Sequence, residues 1–500
     1  MSGERVPSIV IVGAGIGGLA AAIELRRHGF SDVTVLERAQ RIGGTWHYND
    51  YPGCACDVPS HLYSFSFAPR RHWSKLCSPR HEILEYLTAV ARDHDVDRLV
   101  VRGADVVSCK WDGGWTVTCA DGRTWRADAV VIATGQLHQP AIPAIPGRFE
   151  GRSFHSSLWD HSFDLRGRRV AVIGTGASAV QFVPRIAEAV ERLYVFQRTG
   201  NWFLPRRNRP YPAWLRAIMR GVPGVQALRR QWMYRYIEAL TLMIRHPRTI
   251  GLIGRARSSA FMRWQLRDPD IRRRAWPDYT FGCKRILFSS HYLPALQRAN
   301  VELVTEPISR FEPGGIVTGD GALREVDCVI YGTGFQTTSF MLPMRVEGVG
   351  GRVLSDEWAE GPHAHLGMCV PGFPSLFLVY GPNTNTSGGS IIAYEEAQVA
   401  YIRQALSAMR DRGAAAVEVR REVEAASDRE VQARFAGTAW TECNSWYRDD
   451  NGRIVTNWPG YMDEYVRRVR VLDPSEFEFA APAAPKGLAA EGASPKLEGR

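Results

Sequence analysis

The chain has 500 residues, which is long for one core and suggests two or three domains, and its 45% apolar content is ordinary for a globular protein. The net charge of +10 is uneven: residues 206–275 hold 17 arginines, no lysine and 3 acids, an excess of +14 that leaves the rest at −4. No apolar run approaches the roughly 18 residues of a membrane span, Met1–Pro7 has no secretory signal pattern, and nine scattered cysteines suggest reduced thiols and a cytoplasmic protein.

An apolar run, Ile9–Val12, reads as a buried strand. Gly13, Gly15 and Gly18 follow in the spacing G-x-G-x-x-G. A helical pattern then runs to Gly29, and a second strand, Val33–Leu36, closes on Glu37. This order fits a dinucleotide. Gly13 permits the tight turn, Gly15 lets the backbone approach a pyrophosphate, and Gly18 lets helix pack on strand. The helix N-terminus offers free N–H groups to phosphate. Glu37, roughly 20 residues on, accepts from ribose hydroxyls. The motif leaves FAD and NAD both open. Gly43-Gly44-Thr45-Trp46 follows, where a glycine pair lets the backbone lie against a flat ligand and Trp46 could stack on it; a tight turn is the plainer alternative. Cys54 and Cys56 match neither a dithiol redox motif nor a zinc site, so they are expected to pack and no metal is expected. A helix is expected over Pro79–Val90 and a small antiparallel piece over Leu99–Trp125. The buried strand in Asp128–Gln136 ends in Ala-Thr-Gly, and Pro140, Pro143 and Pro146 then mark a domain boundary.

A second unit of the same kind follows. Strand Arg169–Ile173 leads to Gly174, Gly176 and Ala179 in G-x-G-x-x-A, then a helix to Ala189 and a strand Leu193–Phe196. That strand ends in Gln197-Arg198-Thr199 rather than in an acid. An arginine there suits a ribose 2′-phosphate, whose oxygens match its guanidinium fork. The second unit is therefore expected to prefer NADPH over NADH, by the about 1.5–3 kcal/mol of one charge-assisted hydrogen bond. Paired with it, the first unit is expected to hold FAD, with hydride passing from NADPH to the flavin. The fold expected is α/β: two Rossmann-like dinucleotide-binding domains.

Asn201–Trp276, the arginine-rich stretch, is helical by pattern and sits as an insertion in the second domain. Two readings are open: a helical subdomain whose arginines face water, or a contact with an anionic membrane surface. Nucleic acid is not expected, because no recognition motif accompanies the charge. Lys284 and Arg285 could both be solvated, or could divide labour between a phosphate and the flavin. Val329–Phe335 echoes the earlier Ala-Thr-Gly strand and returns the chain to the first domain. Tyr380–Gly389 is another close-approach loop, a helix follows near Tyr394–Met409, and the Ala/Pro-rich tail is expected to be disordered. The domains expected are 1–145 (first part of the FAD domain), 146–334 (NADP domain, insertion about 201–276), 335–480 (second part of the FAD domain) and a tail, 481–500.

Phe149, Gly151, His155, Trp159 and Asp160 spell F-x-G-x-x-x-H-x-x-x-W-D directly before the second glycine motif. This resembles the fingerprint of type I Baeyer–Villiger monooxygenases, within the flavin-containing monooxygenase class, and the other motifs match over the full length in order. The resemblance implies an FAD- and NADPH-dependent enzyme that inserts one oxygen atom from O2 beside a ketone carbonyl through a C4a-peroxyflavin, giving an ester or lactone. It implies that Glu37 holds the FAD ribose and that Thr45, Trp46, Asp57, Tyr63 and Gln136 lie at the flavin. Thr175–Val180, which includes Ser178, would hold NADP together with Arg198, Thr199 and Lys284. Arg285 would be the catalytic arginine, with Asp57 holding it, and Trp446 the aromatic that reaches NADP and substrate. His155 would serve domain movement rather than bond making. The chain departs from the family at Ala55, where relatives often carry Arg, and at Thr386-Ser387-Gly388-Gly389, where they often carry Leu-Gly-His-Asn. Rival readings are N- or S-oxygenation by a related flavoenzyme, and a flavin disulfide reductase, which needs a C-x-x-C that is absent.

Overall fold

The computed structural model describes residues 6–206, 208–386 and 388–481. Two five-stranded sheets, each parallel throughout, organise the chain. The first runs Leu376–Leu378, Ala129–Ile132, Ile9–Val12, Val33–Glu37, Val100–Arg102 in spatial order. The second runs Val301–Val304, Arg192–Phe196, Arg169–Ile173, Cys328–Tyr331, Arg152–His155. The inner strands are short and mostly apolar, without a regular polar alternation, because parallel sheets are covered on both faces. Ile9–Val12 and Ala129–Ile132 are buried at every position. The central strand of each sheet feeds a glycine motif, at the point where neighbouring connections diverge and a crevice opens.

The two crevices share one local device. Gly13 and Gly174 have φ of +104° and +102°, a region that favours glycine. A Cβ on Gly13 would sit 2.7 Å from the carbonyl oxygen of Ala133, and one on Gly174 2.9 Å from the carbonyl carbon of Gly332. So the Ala-Thr-Gly and Gly-Thr-Gly segments close each crevice from the neighbouring strand. The two linkers between the sheets also run together: Ala141 N–H donates to Gly334 O at 2.9 Å, and Gln336 N–H to Gln139 O at 2.9 Å.

Strands Val106–Trp111, Trp115–Cys119 and Thr124–Ala127 form the expected antiparallel piece, with Arg345–Glu347 added in parallel. Val100–Arg102 does not join it; this strand pairs in parallel with Val35–Glu37 and forms an edge of the first sheet. The arginine-rich stretch leaves the second unit after Phe203–Leu204, which pairs with Leu287–Phe288 on the return. Between them lie helices Ala213–Gly221, Val225–Arg245, Ile250–Gln265 and Pro269–Ala275. Met233 and Ile237 pack inward against Leu62.

The expectation that all cysteines are reduced is also overturned. Cys283 and Cys443 form a disulfide with Cα atoms 6.1 Å apart, across a sequence separation of 160. The remaining seven cysteines are free and buried, as packing residues. Sequence spacing could not reveal the pair, because the fold alone brings these two loops together. The tail beyond 481 lies outside the described residues.

Candidate active site

A cavity of about 2090 Å³ lies between the carboxyl ends of the two sheets. That is at least twice the roughly 300–1,000 Å³ of a single small-ligand pocket, room for two dinucleotides. From the first unit it is lined by Gly13, Gly15, Glu37, Gly44, Thr45 and Trp46, then by Tyr63 and Gln136. From the second come Gly174, Thr175, Gly176, Ser178, Arg198 and Thr199. Asp57, Lys284, Arg285 and Trp446 meet them.

The first unit fits the adenosine side of a dinucleotide. Helix Ile16–Arg27 starts at Gly15 with no side-chain cap and no acid in its first turn, so its leading N–H groups point free into the crevice. Glu37 is buried; its Oε2 accepts from Ala14 N–H at 2.7 Å and its Oε1 from Ala39 N–H at 2.8 Å. Those bonds fix the carboxylate but use only two of its about four lone-pair sites, leaving capacity for ribose hydroxyls. Gly18 does not line the cavity. A Cβ there would meet the Gly13 carbonyl, so its role is helix–strand packing. Trp46 is buried, and its indole N–H donates to Tyr63 Oη at 3.1 Å, the rings edge to face at 80°. Gln136 donates to Tyr380 O at 3.2 Å.

The second unit repeats the pattern. Helix Ala177–Ile186 starts at Gly176, again without a cap or an early acid. Ala179 lies outside the cavity lining; its methyl packs beside Gly332. Asn201 donates to Thr175 O at 3.0 Å and steadies the turn. Arg198 is exposed, and Lys284 lies over the Tyr279 ring at 4.8 Å. Burial, and then the charge of Arg198, lower the Lys284 pKa. Two cations thus share one corner without an ion pair to a carboxylate among the described residues, the electrostatics of a phosphate site.

At the meeting of the two halves, Arg285 Nη2 donates to both oxygens of Asp57, at 2.9 and 2.7 Å. Burial opposes ionisation of Asp57, but the Arg285 charge, and Arg206 behind it, outweigh burial and hold the carboxyl below its ordinary value. The Asp57 charge in turn raises Arg285, so the pair is ionised throughout the working range. The Arg285 side chain keeps 39% of its surface exposed, and its Nε and Nη1 groups make no protein hydrogen bond among the described residues. Tyr447, nearby, is pushed up to about 12 by burial and stays a neutral phenol.

Sequence reasoning missed several residues. Arg206 donates to the Cys56 carbonyl and adds a second cation behind Asp57. The sequence places it with the arginines of the insertion, facing water or a membrane, although the apolar run Trp202–Leu204 just before it marks a strand entering the core. Gln181 brackets the backbone of Ala55, accepting from its N–H at 3.1 Å and donating to its carbonyl at 2.9 Å. Helix Val225–Arg245 adds Met233, Ile237, Leu240 and Ile244 to the cavity wall, one face at helical spacing.

The fingerprint residues are not brought into the cavity. Phe149 packs on Phe311, and Trp159 sets its edge on Phe154 and Phe182, each at 5.2 Å. A Cβ on Gly151 would lie 2.9 Å from Asp327 O. Asp160 accepts from Ser162 N–H at 2.9 Å and pairs with Arg152. His155 is buried and bonds Ser157 Oγ through Nδ1 at 2.8 Å, and burial lowers its pKa. Together they brace Ser157 and Leu158, which do line the cavity.

Residues 10–222 match the pyridine nucleotide-disulphide oxidoreductase family. The chain is 41% identical over 485 residues to a Baeyer-Villiger monooxygenase of Streptomyces coelicolor, covering 95% of this chain and 93% of the relative. It superposes on an oxidized steroid monooxygenase bound to NADP with a TM-score of 0.85 and 31% identity, covering 95% of this chain and 99% of the other. A complex of OTEMO with FAD and NADP gives a TM-score of 0.84 at 28% identity, covering 95% and 100%.

Proposed function

The chain belongs to the type I Baeyer–Villiger monooxygenases, and from that premise we propose which of its residues carry out the reaction. The enzyme uses FAD and NADPH to insert one oxygen atom from O2 beside a ketone carbonyl, giving an ester or lactone. Bound FAD, reduced by NADPH, supplies the electrons that activate O2. We assign an FAD domain to 1–145 with 335–480 and an NADP domain to 146–334; the membership of the two five-stranded sheets supports that division.

Gly13, Gly15, Glu37, Gly44, Thr45, Trp46, Tyr63 and Gln136 hold FAD. Gly174, Thr175, Gly176, Ser178, Arg198, Thr199 and Lys284 hold NADPH, and the Arg198–Lys284 corner takes the 2′-phosphate. Arg285 is the catalytic cation. Asp57 anchors one of its nitrogens, so the remaining N–H groups face the cavity at a fixed angle. There they meet the carbonyl oxygen of the substrate as it gains negative charge. A preorganised donor of this kind is worth about 2.7–4 kcal/mol of barrier. Trp446 and the Met233, Ile237, Leu240, Ile244 face give the substrate an apolar wall, so the preferred ketones are apolar.

The single observation that carries this reading is the Asp57–Arg285 pair, ionised, anchored through one nitrogen and open to the cavity. Its test is product analysis with a ketone and a thioether. In Arg285→Ala, ester formation should fall by about 10²–10³, as for other lost oxyanion donors, while sulfoxidation persists. Equal loss of both products would remove Arg285 from the role.

The enzyme works in the cytoplasm. Its arginine-rich insertion meets an anionic membrane surface, from which apolar ketones reach the cavity. Support comes from the outer faces of the insertion, where Trp214, Leu228, Trp232 and Trp264 are each more than 60% exposed among arginines.

A further inference from the structure

The disulfide joins two loops of the site. Cys283 precedes Lys284 and Arg285, and Cys443 stands three residues before Trp446. Lys284, Arg285 and Trp446 all line the cavity. The second loop is anchored at its flanks, where Trp440 is fully buried and buried Tyr447 accepts at its carbonyl from Val455 N–H at 3.0 Å, but between them residues 441–446 are mostly exposed and carry the crosslink. Apart from one three-residue turn, Ala439–Thr441, residues 439–449 form no helix or strand. Its polar ties to the first loop and the insertion lie at the surface: Thr280 Oγ1 donates to Glu442 Oε2 at 2.6 Å, and Arg248, with 88% of its side chain exposed, lies 3.6 Å from Glu442. Surface pairs of that kind contribute little. Trp446 itself is 38% exposed. Thr337 Oγ1 donates to its carbonyl at 3.1 Å. The crosslink is therefore the strongest tether between the loop of the catalytic cation and the aromatic arm beside it.

We propose that Cys283–Cys443 is a removable brace that positions the Trp446 arm over the Arg285 loop, and that its reduction loosens the arm and diverts turnover from ketone oxygenation to hydrogen peroxide. The proposal rests on the roles assigned above to Arg285 and Trp446. A loosened arm admits water, and a wet site is where activated oxygen is lost instead of transferred. Seven further cysteines stay free, the usage of a reducing compartment, where disulfides are usually transient and redox-sensing rather than permanent staples.

Both directions of the switch balance. In opening, a dithiol reductant attacks the sulfur of Cys443, which is half-buried, whereas Cys283 is fully buried. The Cys283 thiolate leaves and takes a proton. The second thiol of the reductant then displaces Cys443, so two electrons and two protons pass to the cysteines and the reductant becomes a disulfide. In closing, one cysteine thiolate attacks hydrogen peroxide, giving a sulfenic acid and water. The second thiol displaces the hydroxyl, the S–S bond forms, and a second water leaves. The oxidant is hydrogen peroxide, the product of O2 reduction that fails to reach substrate. Leakage would thus restore the brace that limits leakage.

The test uses full-length enzyme with FAD and NADP bound. Peptide mapping without reduction should find Cys283 linked to Cys443, and treatment with a phosphine reductant should free them. Amide hydrogen exchange should then quicken in residues 442–449 and 280–285 and stay unchanged in both parallel sheets. With a ketone present, the ratio of hydrogen peroxide formed to NADPH consumed should rise several-fold, and added hydrogen peroxide should reverse both effects. Cys443→Ser should behave as the reduced enzyme and no longer respond to reductant. The proposal is overturned if the crosslinked peptide is never found even after peroxide treatment, or if linked and reduced enzyme exchange alike at 442–449. Exchange does not depend on turnover. An enzyme that oxygenates no ketone while its exchange still responds to reduction would sink the functional reading and leave the brace standing.

Discussion

Arg285 and Asp57 pair through one guanidinium nitrogen, so the pairing aims the cation without covering it. Asp57→Asn keeps the shape but removes the charge that fixes the aim. Ester yield should drop by about a hundredfold, the usual result of an ångström-scale misplacement, while NADPH oxidation continues with hydrogen peroxide as product. Arg285→Lys should not rescue Arg285→Ala, because a point charge cannot both hold Asp57 and reach the substrate. In the proposed NADPH site, Arg198 is the residue placed to distinguish the two nicotinamide cofactors. Arg198→Ala should raise KM for NADPH by about ten- to hundredfold and leave KM for NADH nearly unchanged, as steady-state kinetics would show. Glu395 is a different case. It lines the cavity, its Oε2 has no partner among the described residues, and burial, then Glu396, pushes it up to about 8. The folded chain keeps this proton up to about 8, whereas the unfolded chain releases it near the ordinary 4.5. Between those values the folded state binds more protons, so stability falls as pH rises and levels off above the folded value. In the cofactor-free protein, Glu395→Gln should therefore match the parent Tm near pH 4 to about 5 and exceed it by a margin that grows until about pH 8.

Each glycine element needs its own backbone approach, and the two are separable. Gly13→Ala would press a methyl onto the Ala133 carbonyl at a φ that disfavours any side chain; Gly174→Ala would do the same against Gly332. The first variant should lose the flavin absorbance near about 450 nm, and the second should keep flavin but lose NADPH saturation. If both lost flavin alike, the two crevices would not be independent sites. The legibility of the sequence divides along the same line. Strands such as Ile9–Val12 and Arg169–Ile173 were readable because doubly covered parallel strands are short apolar runs, and a glycine motif gives away the turn that follows. Val100–Arg102 was misplaced because a three-residue strand carries too little pattern to choose a partner. Arg206 and the Cys283–Cys443 pair were invisible for another reason. Each depends on loops brought together from more than a hundred residues apart. The fingerprint was legible as a motif, yet its side chains brace the wall and do not line the cavity, a distinction that only packing reveals.

Charge divides the molecule as a whole: an insertion at +14 on a body at −4. Two such insertions would repel, which opposes their exposed apolar faces meeting in a second copy of the chain and favours an anionic surface instead. The faces have the composition of an interfacial helix set, arginines with Trp and Leu between them, and among the described residues no helix is long and apolar enough to cross a membrane. Trp232 and Tyr236 stack at 5.6 Å on helix Val225–Arg245, and both also line the cavity. The proposed membrane face and the apolar wall of the site are thus neighbouring stripes of one helix, so a lipophilic ketone could pass between them without crossing open water. Basic residues near an anionic leaflet contribute about 1 kcal/mol each and lose it as the screening length shrinks with salt. The enzyme should therefore float with vesicles containing phosphatidylserine at low salt, release as salt approaches about 1 M, and ignore neutral vesicles. Leu228→Ser with Trp214→Ser should weaken flotation while leaving turnover of a small water-soluble ketone intact, since neither side chain lines the cavity. Unchanged flotation in that double variant would reduce the contact to charge alone. No flotation of the parent enzyme at low salt would return the arginines to the role of a solvated face.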